Sequence, residues 1–266
     1  MNYVISNDQK KQWQNNGYVK ITNFLSKSVK DSLKIWCQEL QDLPETPGKW
    51  MKYFETSINQ DRNLCRIENF LEYHEGFNNI ASSARTIDLI SQLMGEEAVL
   101  FKEKINLKLP HGNGFKPHQD APAFITFNQT YHITMMLAID DATVENGCLQ
   151  IINNNEQNGI TLPQNQDGSI HSNISNKFKW NNLVCNLGDI VLFHSYVPHY
   201  SEKNTSLNSR RSAFITYSKK SEGKSKRLEY YADKREKFPP DCERIIGKDY
   251  SKGAEIYNVA NPFNTK

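Results

Sequence analysis

The segment Lys104-Ile-Asn-Leu-Lys-Leu109 alternates polar with apolar side chains and ends at Pro110. A period of two is typical of a β-strand, and proline ends such a strand because it has no N–H to donate. Further short segments of strand character are separated by Gly, Pro, Asn and Asp clusters: residues 131–139, 148–152, 182–186, 190–193 and 212–217. This spacing favours an antiparallel sandwich or barrel. We therefore predict a mainly β fold in which residues 101–220 form a jelly roll, the double-stranded β-helix of cupin-like proteins.

Helical periodicity dominates the sequence before these strands. After a short alternating segment at residues 18–25, Ser26 or Ser28 is a candidate N-cap for a helix that runs to about Leu43. A second helical region is predicted at about residues 80–94, before Gly95. Residues 1–100 are thus predicted to be mostly helical and to support the jelly roll.

The whole chain, residues 1–266, is predicted to be one domain because no linker or internal repeat interrupts it. Residues 221–266 form a C-terminal segment rich in aromatic and charged side chains. Three roles are open for this segment: a lid over a site, a contact with a second subunit, or a wrap around the outside of the barrel.

Composition narrows the class of protein. The 32 Lys and Arg residues nearly balance the 30 Asp and Glu residues, so there is no broad basic surface for nucleic acid. The five cysteines are odd in number and contain no Cys-x-x-Cys pair, which indicates reduced thiols. No signal peptide or membrane-spanning run is recognised. We expect a cytoplasmic protein, monomeric or homodimeric, that binds neither nucleic acid nor membranes.

Metal-ligating residue types occur at two separated places, His118-Gln-Asp120 and His199. On a strand, His118 and Asp120 would project to the same side. His199 follows the turn and apolar strand at residues 188–193, which would carry the chain back across a barrel. Two imidazoles and one carboxylate suit Fe(II) that keeps open positions for dioxygen and a co-substrate. The spacing therefore indicates a non-haem iron oxygenase.

Arg210 follows His199 by eleven residues, on the next predicted strand. A guanidinium there can bind one end of a dicarboxylate through two parallel hydrogen bonds while the other end chelates iron. The co-substrate 2-oxoglutarate has this shape. Arg211 would face the other way on a strand, so we select Arg210, with an error of one position as the alternative.

These motifs resemble the phytanoyl-CoA dioxygenase family of Fe(II)/2-oxoglutarate-dependent oxygenases. The matching stretches extend over most of the chain up to about residue 217: residues 16–25, 104–110, 118–123, 138–149, 188–193, 199–204 and 209–211. The resemblance implies that His118, Asp120 and His199 bind iron and that Arg210 holds the distal carboxylate of 2-oxoglutarate. His194 is close enough to His199 to be confused with it, but only His199 keeps the family spacing.

The resemblance also implies further cofactor contacts and a reaction. Lys108 is a candidate for a polar contact to 2-oxoglutarate, with Lys104 on the same strand face as a second, and Thr134 is a third through its hydroxyl. Each has an ordinary alternative as a solvated lysine or a strand threonine. The implied reaction couples decarboxylation of 2-oxoglutarate by dioxygen, giving succinate and carbon dioxide, to hydroxylation of an unactivated C–H bond. Desaturation or ring closure would use the same residues.

The substrate is predicted more loosely, as a small polar and anionic metabolite. Lysines flank the candidate site in the sequence and would suit an acid, a phosphonate or a phosphate: Lys102, Lys104, Lys116 and Lys203. Phe124 and Phe127 are candidates for the rim of the pocket. A CoA thioester, suggested only by the family's name, is the second choice.

Two readings outside oxygenase chemistry remain. A cupin-type metal-dependent isomerase would share the barrel, although such sites usually recruit a further His or Glu and do not need Arg210. A catalytically silent protein that binds 2-oxoglutarate or a metal would also share it. The intact set His118, Asp120 and His199 argues against the silent reading.

Overall fold

A computed structural model describes residues 3–56, 61–153, 159–223 and 225–260. Within these ranges the chain forms seven α-helices, numbered α1 to α7 in chain order: Asn7–Asn16, Lys27–Asp42, Glu75–Ser82, Ala84–Met94, Ser172–Ser175, Arg227–Lys237 and Ser251–Tyr257. It also forms eleven strands, β1 to β11: Tyr18–Ile21, Met51–Thr56, Arg62–Glu68, Ala98–Lys108, Phe115–His118, His132–Ala138, Leu149–Ile152, Trp180–Leu183, Ile190–His194, His199–Ser201 and Arg210–Lys219. Every strand predicted from the alternating segments is present.

The strands form two antiparallel sheets. The larger has the order β1-β9-β6-β11-β4-β3-β2, and the smaller has the order β5-β10-β7-β8. The long strand β11 pairs with both β4 and β6, which places the last strand of the barrel at the centre of the larger sheet. Two such sheets packed face to face are the layout of the predicted jelly roll.

Side chains alternate between the two faces of the larger sheet. Ile105 and Leu107 of β4 belong to the apolar core that the sheet shares with α2, α3 and α4. Phe214 of β11 faces the other way and packs with apolar residues of the smaller sheet. Because successive strand residues point to opposite sides, Lys104 and Asn106 also face the smaller sheet. The interior between the sheets is therefore polar along part of β4.

The prediction of mostly helical support in residues 1–100 is incomplete. Strands β2 and β3 lie in that region and extend the larger sheet beyond β4. Their burial does not alternate, since β2 is buried on both faces and β3 buries the charged Arg66 and Glu68. A period of two is lost in such strands, so the sequence pattern conceals them.

The helix boundaries follow local capping chemistry. Helix α2 begins after Ser26, whose hydroxyl accepts a hydrogen bond from the Val29 N–H at 3.4 Å, as the sequence predicted. The single helix predicted at residues 80–94 is two helices, α3 and α4. The break falls at Ser83, whose side chain caps α4 by accepting from the Thr86 N–H at 3.2 Å. A serine cap inside a periodic stretch therefore marks a helix start.

Two global features agree with the composition. The cysteines are unpaired thiols, and four of the five are buried. None of the helices in the described ranges is long and apolar enough to cross a membrane. The assignment of residues 1–266 to one domain stays a prediction.

Candidate metal centre

His118 and His199 face each other on neighbouring strands. The antiparallel pairing of β5 with β10 places His199 directly opposite His118, and the two ring centroids are 4.2 Å apart. Both side chains are buried, with 6% and 5% of the residue surface exposed. The strand pairing thus brings together two imidazoles that are separated by about eighty residues in the sequence.

Each imidazole is held by a carbonyl two residues earlier in the chain. The Nδ1 atom of His118 lies 2.7 Å from the carbonyl oxygen of Lys116, and that of His199 lies 3.0 Å from the carbonyl oxygen of Val197. A ring nitrogen in this position donates its proton to the carbonyl, which leaves the lone pair on Nε2. Both rings are therefore oriented to offer Nε2 to a metal ion.

Asp120 completes the group, but from a turn rather than a strand. Strand β5 ends at His118, and Asp120 begins the 3-10 turn at Ala121–Ala123 with φ −77° and ψ −29°. The prediction that His118 and Asp120 lie on one continuous strand is therefore wrong, because the strand ends before Asp120. The carboxylate still lies 4.0 Å from Nε2 of His118, and one ligand atom from each of His118, Asp120 and His199 lies within 4.8 Å of the other two.

Burial sets the protonation states of the three side chains. It lowers the pKa of His118 to about 3 and also lowers the pKa of His199, so both imidazoles are neutral at pH 7. Burial alone would raise the pKa of Asp120, but the adjacent imidazoles and Lys104 outweigh it and hold this pKa below its ordinary range. Two neutral imidazoles and one carboxylate are the protonation states that a ferrous ion needs. The residues present therefore fit the metal.

Arg210 lies in the cavity that contains the three candidate ligands. Its Nε and Nη2 atoms donate to the carbonyl of Gly147 at 3.2 and 2.7 Å, and Nη1 donates to the Ser212 hydroxyl at 3.4 Å. These bonds use three of the five N–H donors of the guanidinium, so two remain within the described part of the chain. Arg210 can therefore still bind a carboxylate.

Arg211 faces away from this cavity. Its Nε and Nη2 atoms donate to the two carboxylate oxygens of Asp140 at 2.7 and 2.9 Å. Such a two-point ion pair occupies the fork that a dicarboxylate would need. The geometry supports the choice of Arg210 over its neighbour.

Of the other predicted cofactor contacts, Lys104 lines this cavity but Lys108 does not. Lys104 lines the cavity together with His118 and Asp120. Lys108 instead directs its ammonium to the Ser201 hydroxyl at 2.8 Å and to the carbonyls of Gly147, at 3.3 Å, and Glu202. All three of its donors are therefore occupied by protein. Lys108 and Arg210 share the Gly147 carbonyl as an acceptor, and the contact of Lys108 with 2-oxoglutarate stays a prediction.

Thr134 is not part of the cavity wall either. Its hydroxyl is hydrogen bonded to that of Thr216 at 3.0 Å across the β6–β11 pair. Gly147, by contrast, was not singled out from the sequence. It has φ +75°, and an added Cβ would lie 2.3 Å from the Glu202 carbonyl oxygen and 2.8 Å from the Lys108 ammonium. Only glycine fits where Arg210 and Lys108 meet the backbone.

Buried cations line a second cavity on the other side of His118 and Asp120. Lys104 borders both cavities, and Lys102, Arg66 and Lys234 join it in the second. The sequence pattern singled out Lys102 and Lys104 but neither Arg66 nor Lys234. Arg66 lies on a strand that the alternation did not reveal, and Lys234 comes from α6, 23 residues beyond the last recognised motif, which ends at residue 211.

Basic side chains outnumber carboxylates in the lining of this cavity. Glu68 forms ion pairs with Lys234 at 2.7 Å and with Arg66 at 3.4 Å. Burial opposes ionisation of Glu68, but these cations and Lys102 lower its pKa to about 2. Lys102 lies over the Phe124 ring at 4.7 Å and forms no ion pair with any described carboxylate. Four basic side chains and two carboxylates, those of Glu68 and Asp120, thus line the cavity next to the candidate metal ligands. Burial lowers the pKa of Lys102, Lys104 and Lys234, and a bound anion would favour their charged forms.

Other residues predicted near the site lie elsewhere. Lys116 is paired with Asp167 at 2.7 Å and keeps 67% of its side-chain surface exposed. Lys203 is also exposed, and both lysines line an open groove that does not include the candidate metal ligands. Phe124 lines the cation-rich cavity, whereas Phe127 packs behind it against Tyr230. His194 packs against Trp13 on the far side of β9.

Comparison with known proteins places this geometry in a family. The sequence model of phytanoyl-CoA dioxygenase (PhyH) matches residues 13–212. A 2-aminoethylphosphonate dioxygenase from the uncultured bacterium HF130_AEPn_1 is 52% identical over 96% of this chain and 97% of its own length. The chain belongs to the phytanoyl-CoA dioxygenase family. A methylphosphonate hydroxylase of Gimesia maris is 37% identical over 90% of each chain.

Solved structures show the same fold. A crystal structure of EctD from S. alaskensis with 2-oxoglutarate and 5-hydroxyectoine covers 82% of this chain and 77% of its own, with a TM-score of 0.70 and 19% identity. The predicted jelly roll is confirmed. Family membership likewise confirms the prediction of an oxidoreductase, namely a dioxygenase that uses iron, 2-oxoglutarate and dioxygen.

Proposed function

We propose that this chain hydroxylates a small phosphonate at the carbon that carries the phosphorus. The observation that supports this proposal is the cation-rich cavity that adjoins His118 and Asp120, because the basic side chains of Lys102, Lys104 and Arg66 converge there beside Glu68. A phosphonate carries up to two negative charges and three acceptor oxygens, which suits several buried donors. The relatives named for 2-aminoethylphosphonate and methylphosphonate support the same substrate class.

In this proposal His118, Asp120 and His199 hold iron, and Arg210 holds the distal carboxylate of 2-oxoglutarate through its two remaining N–H donors. Iron with 2-oxoglutarate and dioxygen supplies the oxidation of the C–H bond. One oxygen atom enters the substrate as a hydroxyl group and the other enters succinate, with loss of carbon dioxide. The protein residues bind the two acids, orient the ligand nitrogens and exclude bulk water.

The residues proposed to bind the phosphonate and those proposed to bind 2-oxoglutarate lie at different points along one face of β4. Lys102 and Lys104 lie towards its middle, whereas Arg210 pairs in register with Lys108 at its end. At about 3.3 Å per residue, four residues of strand separate Lys104 from Lys108 by about 13 Å. His118 and Asp120 border both cavities, so a metal bound there would lie between substrate and co-substrate.

Turnover with matched acids tests the proposal. The purified protein would be supplied with Fe(II), 2-oxoglutarate and dioxygen, and succinate release would be measured with 2-aminoethylphosphonate, methylphosphonate and the sulfonate taurine. We expect a phosphonate to stimulate succinate release and to yield a product heavier by one oxygen atom, and taurine, which has one negative charge fewer, to be a poorer substrate. Stimulation by taurine but by neither phosphonate would contradict the proposal.

Replacing Lys102 with methionine should weaken substrate binding selectively. Loss of one charged hydrogen-bond donor costs about 1.5–3 kcal/mol, which corresponds to a rise in the phosphonate KM of about tenfold or more. The KM for 2-oxoglutarate should change less than about twofold, since Arg210 lies in the other cavity. Steady-state kinetics with each acid varied in turn would measure both constants.

Lys116→Met is the matched control for this variant. It removes a lysine from the strand that carries His118, but one that points into solvent and pairs with Asp167. Equal effects of the two substitutions on the phosphonate KM would show that general surface charge, rather than the cavity, attracts the substrate.

The proposal also includes the state of the protein in the cell. We propose a cytoplasmic monomer or homodimer that does not bind nucleic acid. Balanced charge and free cysteines support it.

A further inference from the structure

The C-terminal helices form one wall of the cation-rich cavity. Lys234 of α6 and Tyr257 of α7 line it together with His118 and Asp120. Both helices follow β11 and lie beyond residues 13–212, the part of the chain that matches the family. A segment beyond the residues that match the family model thus encloses the place where the substrate would bind.

This wall is firmly attached to the sheet. Arg227, at the start of α6, donates to the buried carboxylate of Glu103 at 2.9 Å, and the Tyr231 hydroxyl donates to the Glu103 carbonyl at 2.9 Å. At the end of α6, the Tyr53 hydroxyl donates to the carbonyl of Phe238 at 2.9 Å. Buried bonds at both ends of a helix oppose its movement. A fixed wall of the cavity, a role that was not among the three predicted for this segment, fits these contacts better than a mobile lid.

Lys234 brings an ammonium group into the cavity, where burial lowers its pKa to about 7. It is 1% exposed, and its ammonium lies 2.7 Å from Glu68. The same carboxylate also pairs with Arg66 at 3.4 Å, so two cations share one anion. Lys102 adds a third charge nearby. Buried charge without a partner is unfavourable, and a bound anion would remove that cost.

The surroundings of Lys234 fix the direction of its ammonium. The group lies 5.0 Å from the centre of the Tyr53 ring and 5.5 Å from that of Tyr257. The aromatic walls and Glu68 hold the ammonium at the cavity, whereas Lys237, one turn later on the same helix, points outwards and pairs with Asp233 at 2.5 Å. Only one of these two lysines can reach a ligand in the cavity.

We infer that Lys234 is a specificity-determining residue that binds the phosphonate of the substrate together with Lys102, and that Glu68 holds Lys234 in place for this role. The inference rests on the proposed phosphonate hydroxylation. It makes the C-terminal segment, which lies beyond the residues that match the family model, a source of selectivity for a doubly charged acid. Such an acid gains more from a third cation than a singly charged one does.

The test compares Lys234→Met with Lys234→Arg and with the control Lys237→Met in the full-length enzyme. For each variant, succinate release would give kcat and KM for 2-aminoethylphosphonate and KM for 2-oxoglutarate. We expect Lys234→Met to raise the phosphonate KM at least about tenfold while kcat and the 2-oxoglutarate KM change less than about threefold. Lys234→Arg should restore part of the affinity because it keeps the charge, and Lys237→Met should resemble the wild type.

Four outcomes are informative. A selective rise in the phosphonate KM with partial rescue by arginine supports the inference. Equal loss in kcat and in both KM values, or no rescue by arginine in a folded protein, indicates a structural ion pair and overturns it. If Lys234→Met does not fold, the same constants are measured for Lys234→Gln, where an unaltered phosphonate KM overturns the inference and a selectively raised one supports it. If the wild type turns over no phosphonate, the proposed function fails, and the inference fails with it.

Discussion

Asp120→Ala is expected to abolish substrate hydroxylation and stable iron binding. Asp120 is the only anion of the His118, Asp120 and His199 group, and its carboxylate lies 4.0 Å from Nε2 of His118. Changing residues that only support metal ligands already costs about 10- to 100-fold, so loss of a ligand should reduce activity by at least about 100-fold. Metal analysis after reconstitution with Fe(II), together with succinate release, would measure both effects.

Asp167→Ala provides the control for this substitution. Asp167 is also an aspartate near β5, but it pairs with the solvent-exposed Lys116 and lies outside both cavities. We expect this variant to retain iron and activity. If Asp120→Ala kept full hydroxylation, the assignment of the three ligands would be wrong.

Arg210→Ala is expected to raise the KM for 2-oxoglutarate strongly. A buried charged hydrogen-bonded pair that loses one partner costs about 2–5 kcal/mol, which corresponds to about 30-fold or more in KM. The phosphonate KM should change much less, because the cations of the second cavity remain. Kinetics at saturating substrate with 2-oxoglutarate varied would show the change.

Arg211→Ala separates this role from a general effect of charge. Arg211 is bound to both oxygens of Asp140 and faces away from the metal ligands. Its loss should lower the melting temperature, since the buried Asp140 would lose its two-point partner and keep Lys34 at 3.9 Å, but should leave the 2-oxoglutarate KM nearly unchanged. A larger effect of Arg211→Ala than of Arg210→Ala on this KM would reverse the assignment.

Candidate site residues could be predicted from the sequence where they lie next to a recognisable strand or turn. His118, Asp120 and Arg210 lie next to recognisable strands and turns, and their spacing alone suggested one centre. The pairing of β5 with β10 then places His199 opposite His118, as a jelly roll requires. Asp120 shows the limit of such reasoning, because a 3-10 turn replaces the expected strand and still delivers the carboxylate.

The substrate cavity was less accessible to sequence reasoning for a physical reason. Arg66 and Glu68 are buried charged residues on β3, and both faces of this strand are covered there. The strand therefore lacks the alternation that reveals half-buried strands. Lys234 appears on an ordinary polar helix, and only the packing of α6 against β4 carries it into the interior. Lysines chosen by sequence proximity alone, such as Lys116 and Lys203, proved to be exposed.

The position of Lys108 illustrates a different kind of limit. It lies on the expected face of β4, in register with Arg210, so strand geometry alone favours a cofactor contact. The carbonyls of Gly147 and Glu202 and the Ser201 hydroxyl nevertheless occupy its ammonium. These hydrogen-bond partners come from segments that are distant in the sequence, and no local pattern encodes them.

Anaerobic titration of the apoprotein with Fe(II) and 2-oxoglutarate tests the central claim most directly. If the three ligands hold iron and Arg210 holds the co-substrate, a weak visible charge-transfer band at roughly 500 nm should appear and saturate at one iron per chain. Arg210→Ala should need more 2-oxoglutarate to reach the same absorbance. Absence of the band in the folded wild-type protein would contradict the assignment of both the metal centre and the 2-oxoglutarate site.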